Sequence, residues 1–269
     1  MGARPKYRFE SAPDLPGSDR LARPLLGAIN RSLNALWNLE VNGVEHIPLR
    51  GPAILCPNHL SFCDSMFLPA ALPRRTWAIG KGEYLDDWKT KHLFPAMGMI
   101  PVDRSGGDAA QKALDAAARV LDAGKLFMIY PEGTRSRDQK LHKGRTGAAR
   151  LAQRTGAPII PVGIVGTLDV QPVGSVSLRP FKDVTVSFAK PIHAGDFGDP
   201  NDPRLARKMI DAVMFEIAEM TGQQYVHTYA GEDAEPIPAT MPERRPAVIA
   251  SHAPSESASE RDAASAAVG

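Results

Sequence analysis

The sequence predicts an α/β fold: a single domain with a mixed, largely parallel sheet of about seven strands covered by helices, preceded by an N-terminal amphipathic helix. Short β-branched or apolar runs alternate with stretches of helical periodicity, the pattern that builds βαβ units. The chain has 269 residues, enough to bury roughly three quarters of its unfolded surface around a core. No uncharged apolar run reaches the ~18–20 residues that span a bilayer. With 43% hydrophobic and 23% charged residues, wholesale disorder is also excluded.

Residues 1–19 carry Arg, Pro and Asp without the apolar core of a secretory signal, and read as a flexible leader. Residues 20–39 form the amphipathic segment. At about 100° per residue, Ala22, Leu25, Leu26, Ile29, Leu33, Leu36 and Trp37 fall on one face, opposite Arg20, Arg23, Asn30, Arg31 and Asn34. A basic polar face against a Leu/Trp face suits a helix lying on a membrane surface, or an ordinary helix packed on the core.

Within residues 40–229, and just before them, strands are expected at Leu36–Val41, Ala53–Cys56, Thr76–Ile79, Met99–Val102, Leu126–Tyr130, Ile159–Ile164 and Val184–Phe188. Helices are expected over Asp108–Ala123, where Ala113, Leu114, Ala117, Val120 and Leu121 recur at helical spacing before Gly124, and over Arg145–Arg154 and Asp202–Met220. Residues 230–269 are rich in Pro, Ser, Ala and Glu and read as a disordered tail. Seven acids against three arginines give that tail a charge of −4; the whole chain is +2, so the body carries +6. A basic body suits an anionic substrate or surface.

Four clusters follow expected strands, where open α/β sheets place their ligands. Pro57-Asn58-His59-Leu60-Ser61-Phe62-Cys63-Asp64 puts a histidine five residues before an aspartate, on a turn into a helix. The carboxylate can hold one ring nitrogen and leave the other as a base, although a helix-capping Asp64 and a structural His59 would share this spacing. Lys81, Arg104 and Arg135 each lie just beyond a strand. Brought together they would cradle a phosphate; separately they would be solvated charges. Gly133 would let backbone approach a ligand closely. The chain lacks a phosphate-binding P-loop and a dinucleotide fingerprint. It has no zinc-ligand spacing and no basic–aromatic nucleic-acid pattern. Cys56 and Cys63 read as free thiols.

In order, Asn58-His59-x4-Asp64, Gly98-x-Ile100 through Arg104, Tyr130-Pro131-Glu132-Gly133-Thr134-Arg135-Ser136, and Ala157-Pro158-Ile159-Ile160-Pro161-Val162 resemble the four blocks of the glycerolipid acyltransferases. Among these the chain is most similar to the 1-acyl-sn-glycerol-3-phosphate acyltransferases. The resemblance implies that His59, oriented by Asp64, deprotonates the free hydroxyl of lysophosphatidic acid, which attacks the thioester of acyl-CoA or of an acyl carrier protein. It implies an acceptor-phosphate site built from Arg104, Glu132, Gly133, Thr134 and Arg135, with Lys81 alongside. No metal or resident cofactor is implied. The implied partner is the phospholipid surface, at the cytoplasmic face of the cell membrane, with peripheral or monotopic attachment. Block one has Leu60 where many phosphatidate-forming members have Gln. Glycerol-3-phosphate, another lysophospholipid or a glycolipid therefore stand as alternative acceptors, beside a non-catalytic lipid-binding protein.

Overall fold

The computed structural model describes residues 32–33, 35–81, 98–102, 109–175, 177–199 and 202–231. All belong to one compact unit, Met1–Pro238. The expected leader, most of the amphipathic segment, Arg104 and nearly all of the tail lie outside the described residues, and for Lys81 only the backbone is described.

In chain order the elements are β1 (Asn38–Asn42), β2 (Ala53–Pro57), α1 (Asp64–Ala71), β3 (Thr76–Lys81), β4 (Met99–Val102), α2 (Ala109–Asp122), β5 (Leu126–Met128), β6 (Leu141–His142), α3 (Gly147–Thr155), β7 (Ile159–Val165), α4 (Thr167–Val170), β8 (Asp183–Phe188), α5 (Leu205–Thr221) and β9 (Tyr225–Val226). Among the described residues the main sheet has seven strands in the order β1-β8-β7-β2-β5-β3-β4. Only β7 and β8 pair antiparallel; the remaining neighbours are parallel.

The burial of each strand explains its place. Every residue of β2 and β5 is buried, as are all but the last of β7, so these apolar runs occupy the middle of the sheet. β8 alternates buried with exposed or half-buried positions, as a strand near an edge does. Successive side chains of β2 point to opposite faces. Ile54 and Cys56 join Phe127 and Ile159 under α2, α3 and α5, while Ala53 and Leu55 join Leu126, Ile160 and Val162 beneath α1. A third cluster gathers Leu33, Trp37, Cys63, Phe67, Val170 and Val184.

The seven expected strands are the seven strands of this sheet, with shifted ends. The first begins at Asn38 because Ala35 and Leu36 are helical, and Leu36 gives its carbonyl to the Phe181 N–H (2.7 Å). The fifth stops at Met128. The Ile129 N–H still reaches Leu55, but the Tyr130 carbonyl turns to the Gly133 N–H (3.1 Å), so the chain leaves the ladder. The parallel pair β6–β9 and the single-turn α4 carry too few residues for a periodic signal.

Parallel strands β2, β5, β3 and β4 point their C-terminal ends, and hence the loops holding the clusters, to one edge of the sheet. β7 delivers α4 to the same edge through Gly166. That glycine has φ +92°, and a Cβ there would come 2.1 Å from the Asp183 carbonyl oxygen. Gly166→Ala should lower stability by more than about 1 kcal/mol, read as a lower thermal midpoint; an unchanged midpoint would show that this turn tolerates a side chain.

Candidate active site

β2 ends at Pro57, and the next seven residues form a turn closed by the first residue of α1, Asp64. No surface of Asp64 is exposed. A buried carboxylate needs hydrogen-bond donors, and among the described residues Asp64 has four. Oδ2 accepts from the backbone N–H groups of Leu60 (2.8 Å) and Ser61 (2.9 Å) and pairs with His59 Nδ1 (3.0 Å). Oδ1 accepts from the Thr167 hydroxyl (2.6 Å). An ionised carboxylate only accepts, so the proton sits on His59 Nδ1 and leaves Nε2 as the basic nitrogen. The His59 side chain is 16% exposed, so the ring can be reached from outside the fold.

The ring is also held from its face. Tyr130, two residues beyond β5, stacks on it with centroids 3.7 Å apart and planes 14° apart. Burial raises the Tyr130 phenol above its ordinary pKa, keeping it neutral, and its hydroxyl pairs with Ser65 Oγ at 3.0 Å. The backbone on either side of the ring is tied as well. His59 N–H donates to Glu132 Oε1 (3.2 Å), and its carbonyl accepts from Ser136 N–H (2.8 Å). Asn58, fully buried, bonds both the N–H and the carbonyl of Ile164 on β7.

Glu132 is a second buried carboxylate. Its oxygens take the N–H groups of His59 and His142 (3.0 Å). Burial pushes its pKa up to about 7, against the opposing pull of those two N–H groups. Asp138 moves the other way. Partial burial would raise it, but bonds from the His142 ring, the Ser136 hydroxyl and the Lys140 N–H outweigh that and hold it below the usual carboxylate range.

Gly133, Thr134 and Arg135 follow on an exposed turn beside His59. The Arg135 guanidinium makes no hydrogen bond or ion pair among the described residues. Gly133 has φ +80°, and a Cβ on it would come 2.9 Å from Arg145 Nε, so glycine lets the Arg145 side chain lie against the turn. Arg145 also ties this loop through its N–H to the Pro131 carbonyl (2.7 Å) and stacks its guanidinium over Tyr229 at 5.0 Å. The structure therefore brings together His59, Asp64, Glu132, Gly133, Thr134 and Arg135. Cys63, next to Asp64, is fully buried, and burial raises its thiol pKa, the opposite of what a nucleophilic thiolate requires. Among the described residues no group of three or more His, Cys, Asp or Glu is placed to hold a metal ion.

The family model described as Acyltransferase matches residues 38–165, the stretch that contains His59, Asp64, Tyr130 and the turn from Glu132 to Arg135. Those residues belong to the acyltransferase family. The chain is 28% identical over 163 residues to a chloroplastic 1-acyl-sn-glycerol-3-phosphate acyltransferase of Arabidopsis thaliana, covering 60% of this chain and 46% of that protein. It is 32% identical over 160 residues to a protein of the same name from Limnanthes douglasii, covering 59% and 56%. The chain thus spans about half the length of these relatives. In fold it is similar to the crystal structure of the 1-acyl-sn-glycerophosphate (LPA) acyltransferase PlsC from Thermotoga maritima, with a TM-score of 0.60, 24% identity, and 76% of this chain and 83% of that one covered.

Sequence reasoning missed three residues. Thr167 is brought to Asp64 across 103 positions. Tyr130 opens the third block, but nothing in its neighbours announces a stack on His59. Arg145 looks like any surface cation at the start of a helix.

Two outcomes follow from these contacts. Thr167→Val keeps the shape but strands Asp64 Oδ1, which should remove about 1.5–3 kcal/mol of stability; urea unfolding that matches the parent would discount the bond. For Glu132, both folded and unfolded states are protonated below its ordinary value of 4.5, and between there and about 7 the folded chain keeps a proton the unfolded chain has lost. Its contribution to stability therefore falls as pH rises through that window and levels off above it. The stability difference between the parent and Glu132→Gln should be larger at the acid end, as measured by denaturant unfolding across the window.

Proposed function

We propose that this protein transfers a fatty acyl group from acyl-CoA, or from an acyl carrier protein, to the sn-2 hydroxyl of lysophosphatidic acid, giving phosphatidic acid for phospholipid synthesis. One observation carries the reading: a histidine whose Nδ1 is fixed by a buried, fully hydrogen-bonded aspartate, with Nε2 left open beside an uncommitted arginine.

In this reading His59 Nε2 takes the proton of the acceptor hydroxyl as its oxygen attacks the thioester carbonyl carbon. Asp64 stabilises the imidazolium that forms. The tetrahedral intermediate collapses with cleavage of the carbon–sulfur bond, and the leaving thiolate recovers the proton from Nε2. Neither a covalent acyl-enzyme nor the buried Cys63 is required. Arg135 takes the acceptor phosphate in bidentate fashion. Arg145, held on Gly133 and Tyr229 rather than by a carboxylate, supplies a second guanidinium to the same dianion. Arg104 and Lys81 are assigned to this phosphate site, with the backbone of Gly133 and Thr134 lining it. Glu132 serves the site indirectly, by clamping the backbone of His59.

Both the acceptor and the product are lipids, which supports work at a membrane surface. Among the described residues no helix is long and apolar enough to cross a membrane, in keeping with attachment from one side.

The test is phosphatidic acid formation from lysophosphatidic acid and oleoyl-CoA by the full chain in vesicles. His59→Ala should abolish product while the thermal midpoint is kept; retained turnover would overturn the mechanism. Thioester consumption that depends on His59 but gives no phosphatidic acid would reassign the acceptor. Arg135→Ala should reduce kcat/KM for the acceptor by about 2–4 kcal/mol in transition-state terms, mainly through KM. An unaltered acceptor response would remove Arg135 from the phosphate site.

A further inference from the structure

The loop between α4 and β8 breaks two rules at one residue. Phe181 has φ +58°, a backbone region that bulky side chains rarely adopt. It is also 80% exposed, more than any other large hydrophobic among the described residues. Strain at an exposed aromatic contributes nothing to the core, so it is retained for something the free domain lacks.

Around Phe181 the loop is held firmly. Its N–H donates to the Leu36 carbonyl (2.7 Å), Asn38 N–H donates to the Lys182 carbonyl (3.2 Å), and Arg179 N–H donates to the Val170 carbonyl (2.8 Å). The Trp37 indole N–H closes on the Arg179 carbonyl (2.7 Å). Every one of these bonds uses backbone of the loop, and they leave Val173, Leu178 and Phe181 exposed. Arg179 and Lys182 flank the phenylalanine, and neither side chain has a carboxylate partner among the described residues. Asp183, the nearest acid in sequence, accepts instead from Asn38 Nδ2 (3.1 Å). At its other end the loop touches the catalytic turn, where Gln171 Oε1 accepts from Ser61 Oγ (3.2 Å).

We propose that this loop is a lipid-docking wedge. Phe181, with Val173 and Leu178, enters the boundary between headgroups and acyl chains of an anionic bilayer, and Arg179 and Lys182 meet lipid phosphates. Charge selects this occupant: apolar side chains flanked by two cations that have no carboxylate partner among the described residues fit an anionic lipid surface better than a protein groove. Continuity supports it too, because the loop is bonded to the end of the segment whose upstream sequence pairs Leu25, Leu26 and Ile29 with Arg20, Arg23 and Arg31. The wedge rests on the acyltransferase reading only for its purpose, which is to hold the turn of His59 and Asp64 at the depth where a lipid acceptor presents its hydroxyl.

Phe181→Gly separates this role from a structural one, because it removes the ring and relieves the strained φ together. The full-length chain would be measured by flotation with phosphatidylcholine vesicles, with and without phosphatidylglycerol, and by thermal melting, both without substrate. Expected is a roughly tenfold or greater loss of vesicle affinity, the order expected when a buried phenylalanine is withdrawn from apolar surroundings, with a thermal midpoint equal to or above the parent's. Phe181→Leu should recover most of the binding. Arg179→Glu with Lys182→Glu should abolish the preference for the anionic vesicles. Unchanged vesicle affinity in Phe181→Gly would overturn the proposal, as would a loss matched by a lower midpoint. Because no turnover is measured, failure of the acyltransferase reading would leave these results standing.

Discussion

A carboxylate without exposed surface must collect its hydrogen bonds from the fold, and the candidate site is organised around meeting that demand at Asp64. Two donors are local: the turn after β2 curls so that the Leu60 and Ser61 N–H groups point at Oδ2. One is the candidate base itself, the His59 ring. The last, Thr167, comes from the turn after β7. With these in place the charge is supported in the interior, and the imidazole has one orientation and one tautomer. Removing any donor would leave part of a buried charge unsatisfied, a larger penalty than the net worth of an ordinary hydrogen bond.

Glu132 repeats the device at the backbone of the same residue. It joins the His59 backbone to the strand of His142, while Tyr130 covers one face of the imidazole. The third block thus begins by fixing His59 and ends, at Arg135, by offering an exposed cation. Four successive positions from Glu132 to Arg135 pass from fully buried to exposed, so a rigid anchor and a solvent-facing binding group are joined by the shortest possible tether. Gly133 makes this change of direction possible through its left-handed backbone.

The strands were legible because a central parallel strand is apolar on both faces, and Ala53–Cys56 and Ile159–Ile164 show this as unbroken runs. The His59–Asp64 pairing was legible because its partners are five residues apart on one turn. What escaped was long-range or conformational. Thr167 has no local pattern tying it to Asp64, and a positive φ at Phe181 leaves no trace in residue type, since glycine is the residue that normally signals it. The pairing of Leu141–His142 with Tyr225–Val226 is too short to alternate. Of the cations nominated from sequence, Arg135 has a described side chain and Arg104 lies outside the described residues, while Arg145 became visible only when Gly133 placed it against the same turn.

The separation between Asp64 and Thr167 has a consequence for synthesis of the chain. During translation the histidine motif is made long before β7, and β7 must pair with β2 before the hydroxyl reaches the carboxylate. Asn58 bonds to Ile164 on that same strand, so the motif's backbone awaits the same event. A nascent chain therefore carries every residue of the first block without the Thr167 donor or the Ile164 clamp. Full support of the buried Asp64 carboxylate waits until β7 joins the middle of the sheet, which makes the electrostatics of the site a late product of folding.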